Sequence, residues 1–323
     1  MNWKRFLPII GIIILIYVLT TLDGAAIIAV FTSLHPLHII LSFLSIIPII
    51  LFFCFVWYLI LKCHNISVSY VYVIKNLFIG FFYGFITPGG FGAYTKALYL
   101  RDESGEPLHK CTVNVLLLNT IDYMGLLTPG IIGGFFLSSY HPYLFPLFLL
   151  VFILFLVLLT TLLKRKTGNI IFEKLVKYKL LSLEKKDKWF THLDLLYSDI
   201  PRVKDLFIPY VLAVLGWVAW FVILFFIAKL FAIHVPLLTF LFMISVVSVL
   251  ASLPISIYGL GTREAAMIWM FSFYEIPVEN IVSFSLFWFV ILWLTPSIIG
   301  AIVTTFEGRT RPILCTEKET DLT

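Results

Sequence analysis

Thr87-Pro88-Gly89-Gly90-Phe91-Gly92-Ala93-Tyr94-Thr95-Lys96 and Pro254-Ile255-Ser256-Ile257-Tyr258-Gly259-Leu260-Gly261-Thr262-Arg263-Glu264 each interrupt a long apolar stretch. Aligned on their Gly-x-Gly triplets, both begin at a proline, break at glycine and resume a helix. Each resumed helix carries a cation in its first turns, Lys96 in one and Arg263 in the other. Proline and glycine at matching places in two halves of an apolar chain read as helices interrupted within a bilayer. Such interruptions are the best pointer in a sequence to a transport site between repeats.

The composition fixes the class. Of 323 residues, 61% are apolar and 13% charged, and mean hydropathy is +1.03. A soluble protein of this size cannot cover its surface with so few charges. Several apolar runs exceed the ~20 residues that cross a ~30 Å hydrocarbon layer. The first run lacks a small-residue cleavage site and reads as membrane sequence rather than a signal peptide. Cys54, Cys63, Cys111 and Cys315 lie in or beside apolar runs without CxxC spacing. They read as buried hydrophobes or free thiols. His35, His141 and His234 fall at expected external turns, His64, His109 and His192 at cytoplasmic ones, and no pair has ligand spacing within one helix. With no GxSxG, HExxH or P-loop pattern either, no metal and no cofactor is expected. The net charge of +5 has a local source, because residues 164–205 hold eleven Lys and Arg against six acids. Basic residues beside spans place that loop in the cytoplasm, which accounts for them without nucleic acid.

Basic and Lys-free connectors set the expected topology. Residues 6–22 form a first span behind Lys4 and Arg5, and 23–36 form an external connector. Residues 37–61 return to Lys62 and Lys75. Residues 76–100 are then flanked by Lys75 on one side and by Arg101 and Lys110 on the other, so both ends lie inside and the segment is a hairpin. Its limb 76–87 reaches about 18 Å at 1.5 Å per residue, and Pro88-Gly89-Gly90 turns it. Glu106-Pro107 starts the next helix, with spans at 111–137 and 143–163. In the basic loop, Ile171, Leu175 and Val176 alternate with Lys174 and Lys177 as an amphipathic surface helix or a solvated helical hairpin. A span at 207–231, an entering limb at 237–257, a return at 262–274 and a last span at 281–305 complete the chain, with a tail over 306–323.

The expected fold is an all-α polytopic membrane protein in a single domain over 1–323. It has about six full transmembrane helices and two Gly-broken re-entrant or short hairpins. Halves 37–137 and 207–305 share the order span, hairpin, span in opposite orientation, an inverted repeat. The expected location is the cytoplasmic membrane, with both termini inside.

At the two motifs the chain resembles the lysylphosphatidylglycerol synthase transmembrane family, whose members are also described as flippase-like. Thr87-Pro88-Gly89-Gly90-Phe91-Gly92 with Lys96-Ala97, and Leu253-Pro254-Ile255-Ser256 with Gly259-Leu260-Gly261-Thr262-Arg263-Glu264, match its two signatures over roughly residues 5–305. Asn119-Thr120-Ile121-Asp122 resembles the family's polar patch, without the Arg that often precedes the Asp. The first motif has Ala93-Tyr94-Thr95 where relatives often carry an acidic residue. In the longest members the membrane domain precedes a soluble acyltransferase-like domain that moves lysine from tRNA onto phosphatidylglycerol. Thr323 follows the last expected span by 18 residues, so the resemblance implies the lipid-translocating half and no synthase activity.

Intramembrane ionisable residues face a bundle interior or a wet cavity. Asp122 can bind a cationic group, relay a proton, or pair with Lys96 or Arg263; it can also be a buried Asp bonded to Asn119 or to a neighbouring backbone break. Arg263 and Glu264 open a half-helix whose N-terminus favours anions, and the Arg263 fork suits a phosphate. Alternatively the two pin the hairpin to other helices. Lys96 is the matching cation, unless it snorkels to headgroups. Pro88, Gly90, Gly92, Pro254, Gly259 and Gly261 can turn backbone amides toward a ligand or pack helices closely.

The reading that follows is flippase-like translocation of a phospholipid or polyprenyl-phosphate headgroup, with anionic lipid headgroups as partners. The alternatives are a membrane enzyme, or enzyme partner, acting on lipid-linked sugars or aminoacyl lipids, and a small-molecule secondary transporter. A homodimer and a partner enzyme stay open.

Overall fold

The computed structural model describes residues 24–139, 142–163, 201–252, 256 and 258–310. The expected first span at 6–22, the basic stretch 164–200, Pro254, His141, His192 and the tail beyond 310 lie outside the described residues.

Every regular element among the described residues is helical. In chain order these are α1 (Gly24–Ser33), α2 (Pro36–Cys63), α3 (Tyr70–Ile86), a 3₁₀ turn (Pro88–Thr95), α4 (Lys96–Ser104), α5 (Leu108–Phe136) and α6 (Leu144–Leu163). After a short 3₁₀ turn (Val203–Leu206) come α7 (Phe207–Leu230), α8 (Leu237–Ala251), α9 (Thr262–Phe271), α10 (Val278–Phe289), a π-helical turn (Val290–Leu294) and α11 (Thr295–Thr310). Among the described residues, five stretches are long and apolar enough to cross a membrane: α2, α5, Leu144–Thr161 in α6, Val203–Leu230, and Val278–Glu307. The protein is therefore an all-α, multi-pass membrane protein. Its outer surface is apolar: Leu150 and Leu154 of α6 and Ile40 and Leu44 of α2 are all more than half exposed, as lipid-facing side chains are.

Two elements differ from the sequence expectation. The connector over 23–36 contains α1, an Ala/Ile-rich helix whose Phe31 ring meets Phe231 at 5.9 Å and Phe287 at 6.4 Å. Its lack of Lys and Arg reflects packing against α10 as much as sidedness. The first hairpin limb starts at Tyr70, six residues before the expected start, because Ser69 caps it by accepting a hydrogen bond from Tyr72 N at 3.2 Å. Its 17 residues extend about 25 Å, so the limb is longer than half a bilayer. Lys75, expected in the preceding turn, sits in α3 and pairs with Glu307 of α11 at 3.1 Å.

Small residues decide which helices touch. A Cβ on Gly133 would lie 2.8 Å from Phe242 O, seating α5 on α8, and one on Gly125 would lie 2.9 Å from Ala213 Cβ, seating α5 on α7. Gly300 of α11 is tighter, since a Cβ there would lie 2.0 Å from the Phe78 carbonyl oxygen of α3. Ser297, one turn earlier, donates to Phe81 O at 3.2 Å. The last span thus clamps the first hairpin.

The Gly300 obstacle is backbone, whereas a Cβ on Gly216 of α7 would meet the Phe52 and Phe53 rings at 3.1 Å. Gly300→Ala is therefore expected to cost about 1–3 kcal/mol and to lower the melting temperature in detergent clearly more than Gly216→Ala. Equal melting temperatures for the two variants would contradict the clamp.

Candidate functional site

The first break is built on one stripe of α3. Tyr72, Asn76, Gly80 and Gly84 are buried and, four residues apart, share a face. Tyr72 Oη donates to Tyr99 O at 2.6 Å, and Asn76 Nδ2 donates to Lys96 O at 3.1 Å. These bonds fold α4 back along α3. Between them Thr87, in extended conformation, ends the helix. Its hydroxyl donates to Tyr83 O at 2.8 Å and accepts from Gly92 N at 2.6 Å, while its carbonyl accepts from Gly90 N at 3.1 Å. Gly90 turns the chain with φ 73°. Gly92 lies so close to α3 that a Cβ would stand 2.0 Å from Tyr83 O.

The second break uses positive φ three times, at Tyr258 (48°), Gly259 (79°) and Gly261 (83°). Tyr258 pays a conformational cost of about 1–2 kcal/mol there, which glycine escapes. α9 starts with a capping arrangement: Gly261 N donates to Glu264 Oε2 at 2.5 Å, and Arg263 N donates to Gly259 O at 2.7 Å. The carboxylate that closes the cap also closes the charge. Glu264 Oε1 accepts from Arg263 Nη2 at 2.7 Å and from the Ser285 hydroxyl of α10 at 2.6 Å, and Arg263 Nε donates to Ser285 Oγ at 2.7 Å. Arg263 is 1% exposed and Glu264 0%. The guanidinium carbon also stands 5.3 Å from the Trp288 ring centroid and 5.5 Å from that of Phe289.

The two breaks meet at Tyr258. Its hydroxyl occupies the space above Gly84, where a Cβ would come within 2.0 Å, with the Ala93 methyl 3.3 Å from the same point. Its ring stacks on Trp293 at 4.2 Å and 24° and faces Phe85 at 6.2 Å and 17°. Trp293 belongs to the π-helical turn, so the last span, the second break and the first hairpin share one aromatic column.

Lys96 opens α4 but does not snorkel. It is 6% exposed; its stem crosses Gly80, and its Nζ stands 5.4 Å from the Trp57 ring centroid. Asp122 of α5 interacts with it electrostatically and forms no ion pair with it at bonding distance. The Asp122 carboxylate is instead held by Trp217 Nε1 of α7 at 3.0 Å, and the same donor reaches Asp122 O at 3.2 Å. Asn119, one turn away, is half-buried and is not the partner of Asp122.

The residues singled out in the sequence thus divide into three groups. Lys96, Gly90, Gly92, Gly259, Gly261, Arg263 and Glu264 sit at the breaks, Asp122 lies on α5 and acts on Lys96 electrostatically, and Pro254 lies outside the described residues. The expectation that the motif glycines free their amides meets a correction, since Gly90, Gly92 and Gly261 give their N–H groups to Thr87 and Glu264. Arg263 spends its fork on Glu264 and Ser285, leaving only Nη1, which is buried without a partner among the described residues. His64, read as interfacial, is 2% exposed and lies 3.4 Å from Asn114 Nδ2. Trp57, Asn76, Asn114, Trp217, Tyr258 and Ser285 escaped the sequence reading. Asn76, Asn114 and Ser285 are polar residues on mostly apolar helices, and that was their signal.

Residues 7–300 match the family model described as lysylphosphatidylglycerol synthase TM region. No curated protein sequence matches the chain. The match covers nearly the whole chain and places the protein among membrane proteins related to lipid handling or lipid modification.

Removing one partner of a buried ion pair strands the other charge, at about 3–5 kcal/mol. Arg263→Ala should therefore lower thermal stability in detergent strongly, and Arg263→Ala with Glu264→Gln should recover part of the loss. A double variant no more stable than the single would rule out a stranded charge as the cause.

Proposed function

Because the chain belongs to the lysylphosphatidylglycerol synthase transmembrane family, we propose that it moves a lipid headgroup between leaflets, binding the phosphate of a phospholipid or polyprenyl-phosphate lipid and making no covalent change. The observation that carries this reading is Lys96. It is a nearly buried cation at the first break, beside Gly80 of α3 and Trp57 of α2, and no carboxylate among the described residues lies at ion-pair distance from it. A cation held inside an apolar bundle with no carboxylate bonded to it favours an anion that arrives from outside. Arg263 shows the contrast: its neighbour Glu264 already neutralises it, so its work is to anchor α9 to α10.

The order of elements supports a path for such a headgroup. A span, a broken hairpin and a span occur as α2, α3–α4, α5 and again as α7, α8–α9, α10–α11. We read these as inverted repeats whose hairpins enter the cytoplasmic membrane from opposite faces, with both chain ends in the cytoplasm. Translocation then needs the Tyr258 column between the hairpins to part, while the lipid tails stay in the bilayer. Asp122, fixed by Trp217, sets the electrostatic balance beside Lys96 and receives any positive group on the same headgroup.

Proteoliposomes carrying a headgroup-labelled phospholipid test this reading. Transfer between leaflets should exceed that of protein-free vesicles, and Lys96→Ala should reduce the rate at least about tenfold, equivalent to about 1.4 kcal/mol. An unchanged rate in Lys96→Ala would overturn the reading. So would chemical conversion of the lipid without a change of leaflet, which would identify an enzyme.

A further inference from the structure

The surroundings of Lys96 are more organised than a cation over a ring requires. Asn76 fixes its backbone carbonyl, and Gly80 fixes the course of its stem, since a Cβ on Gly80 would lie 2.6 Å from Lys96 Cδ and 2.8 Å from Cγ. The side chain is thereby directed at Trp57 of α2. Trp57 is 1% exposed, and its Nε1 donates to Asn114 Oδ1 at 3.0 Å; Asn114 itself is fully buried. The indole plane is therefore set by a bond at its Nε1 edge, which leaves the face to Lys96.

We propose that Trp57, aligned by Asn114, is the positioning residue that stabilises the Lys96 ammonium through its π face and presents it to the phosphate of the translocated lipid. This rests on the reading of Lys96 given above. An ammonium within 6 Å of an indole centroid is attracted by the ring quadrupole, and the ring contributes no counter-charge and accepts none of the three N–H donors. A carboxylate in the same place would occupy both charge and donors, as Glu264 does for Arg263. The aromatic platform solves a particular difficulty: it lowers the cost of a cation in an apolar interior while leaving it able to bind an anion. Asp122, which acts on Lys96 only at a distance, is held by its own tryptophan, Trp217, so the two opposite charges have separate indole partners.

The test uses the full chain in vesicles with a short-chain labelled phosphatidylglycerol and replaces Trp57 with mono-, di- and trifluorinated tryptophan. These keep the indole shape and its N–H while weakening the negative face step by step. The half-saturating lipid fraction should rise about two- to fivefold per fluorine, with the maximal rate little changed. Trp57→Phe should retain part of the affinity and Trp57→Leu should lose at least tenfold. In Lys96→Ala the fluorine series should be flat. A flat series in the Lys96 protein, with Lys96→Ala still impaired, would overturn the role of Trp57 and leave the transport reading standing. Lys96→Ala without effect would overturn both. The fluorinated chains are isosteric with the natural one, so a fall in affinity at constant melting temperature is not a folding defect.

Discussion

A helix that stops inside a bundle leaves backbone amides and carbonyls without partners, and in an apolar surrounding each such group is costly. Both breaks in this chain meet that constraint from within their own sequence. Thr87 takes the amides of Gly90 and Gly92 on its carbonyl and hydroxyl, and Glu264 takes the amide of Gly261. The glycines are there because the chain must turn back sharply and run against a neighbouring helix, and because Gly90, Gly259 and Gly261 adopt positive φ. Once these groups are satisfied, the short helices α4 and α9 can begin in the interior, and the cations at their starts are brought inside with them.

From that common solution the two hairpins diverge. In the second, the capping carboxylate also binds the arginine and the Ser285 hydroxyl, so one residue serves cap, counter-ion and inter-helix tie. The result is a closed unit that joins α9 to α10. In the first, the cap is a neutral hydroxyl, and nothing in the motif neutralises Lys96. Its support comes from other helices: Asn76 and Gly80 of α3, Trp57 of α2, and Asp122 of α5 at a distance. Equivalent positions in the two motifs therefore carry different chemistry, rigid anchoring in one and an available cation in the other.

Much of the fold was legible because it follows from composition and from proline and glycine. The spans over α2, α5, α6, α7 and α10–α11 lie within a few residues of their expected bounds, and the helices break where the Gly-x-Gly motifs stand. What was not legible depends on pairing between distant elements. In an apolar bundle hydrophobicity runs all round each helix, so no stripe reports which face meets which neighbour. Trp217 could not be recognised as the partner of Asp122, nor Trp57 as that of Lys96, because every span contains aromatic residues. Arg263 and Glu264 stood out as charges at the start of a half-helix, and their bonds fit the alternative in which the two pin the hairpin to another helix; the sequence did not single out Ser285 as the partner they share. The helix α1 was missed since an Ala-rich connector without Lys or Arg and a short helix have the same composition.

The fit of the Tyr258 hydroxyl over Gly84 has an evolutionary corollary. A large side chain at 258 is compatible only with a hydrogen at 84, and a methyl at 84 needs a smaller residue at 258. The two positions lie 174 residues apart, in different halves of the chain. Across relatives they should drift as a coupled pair, each constraining what the other can become, and chimaeras that exchange one half alone should inherit mismatches at this point.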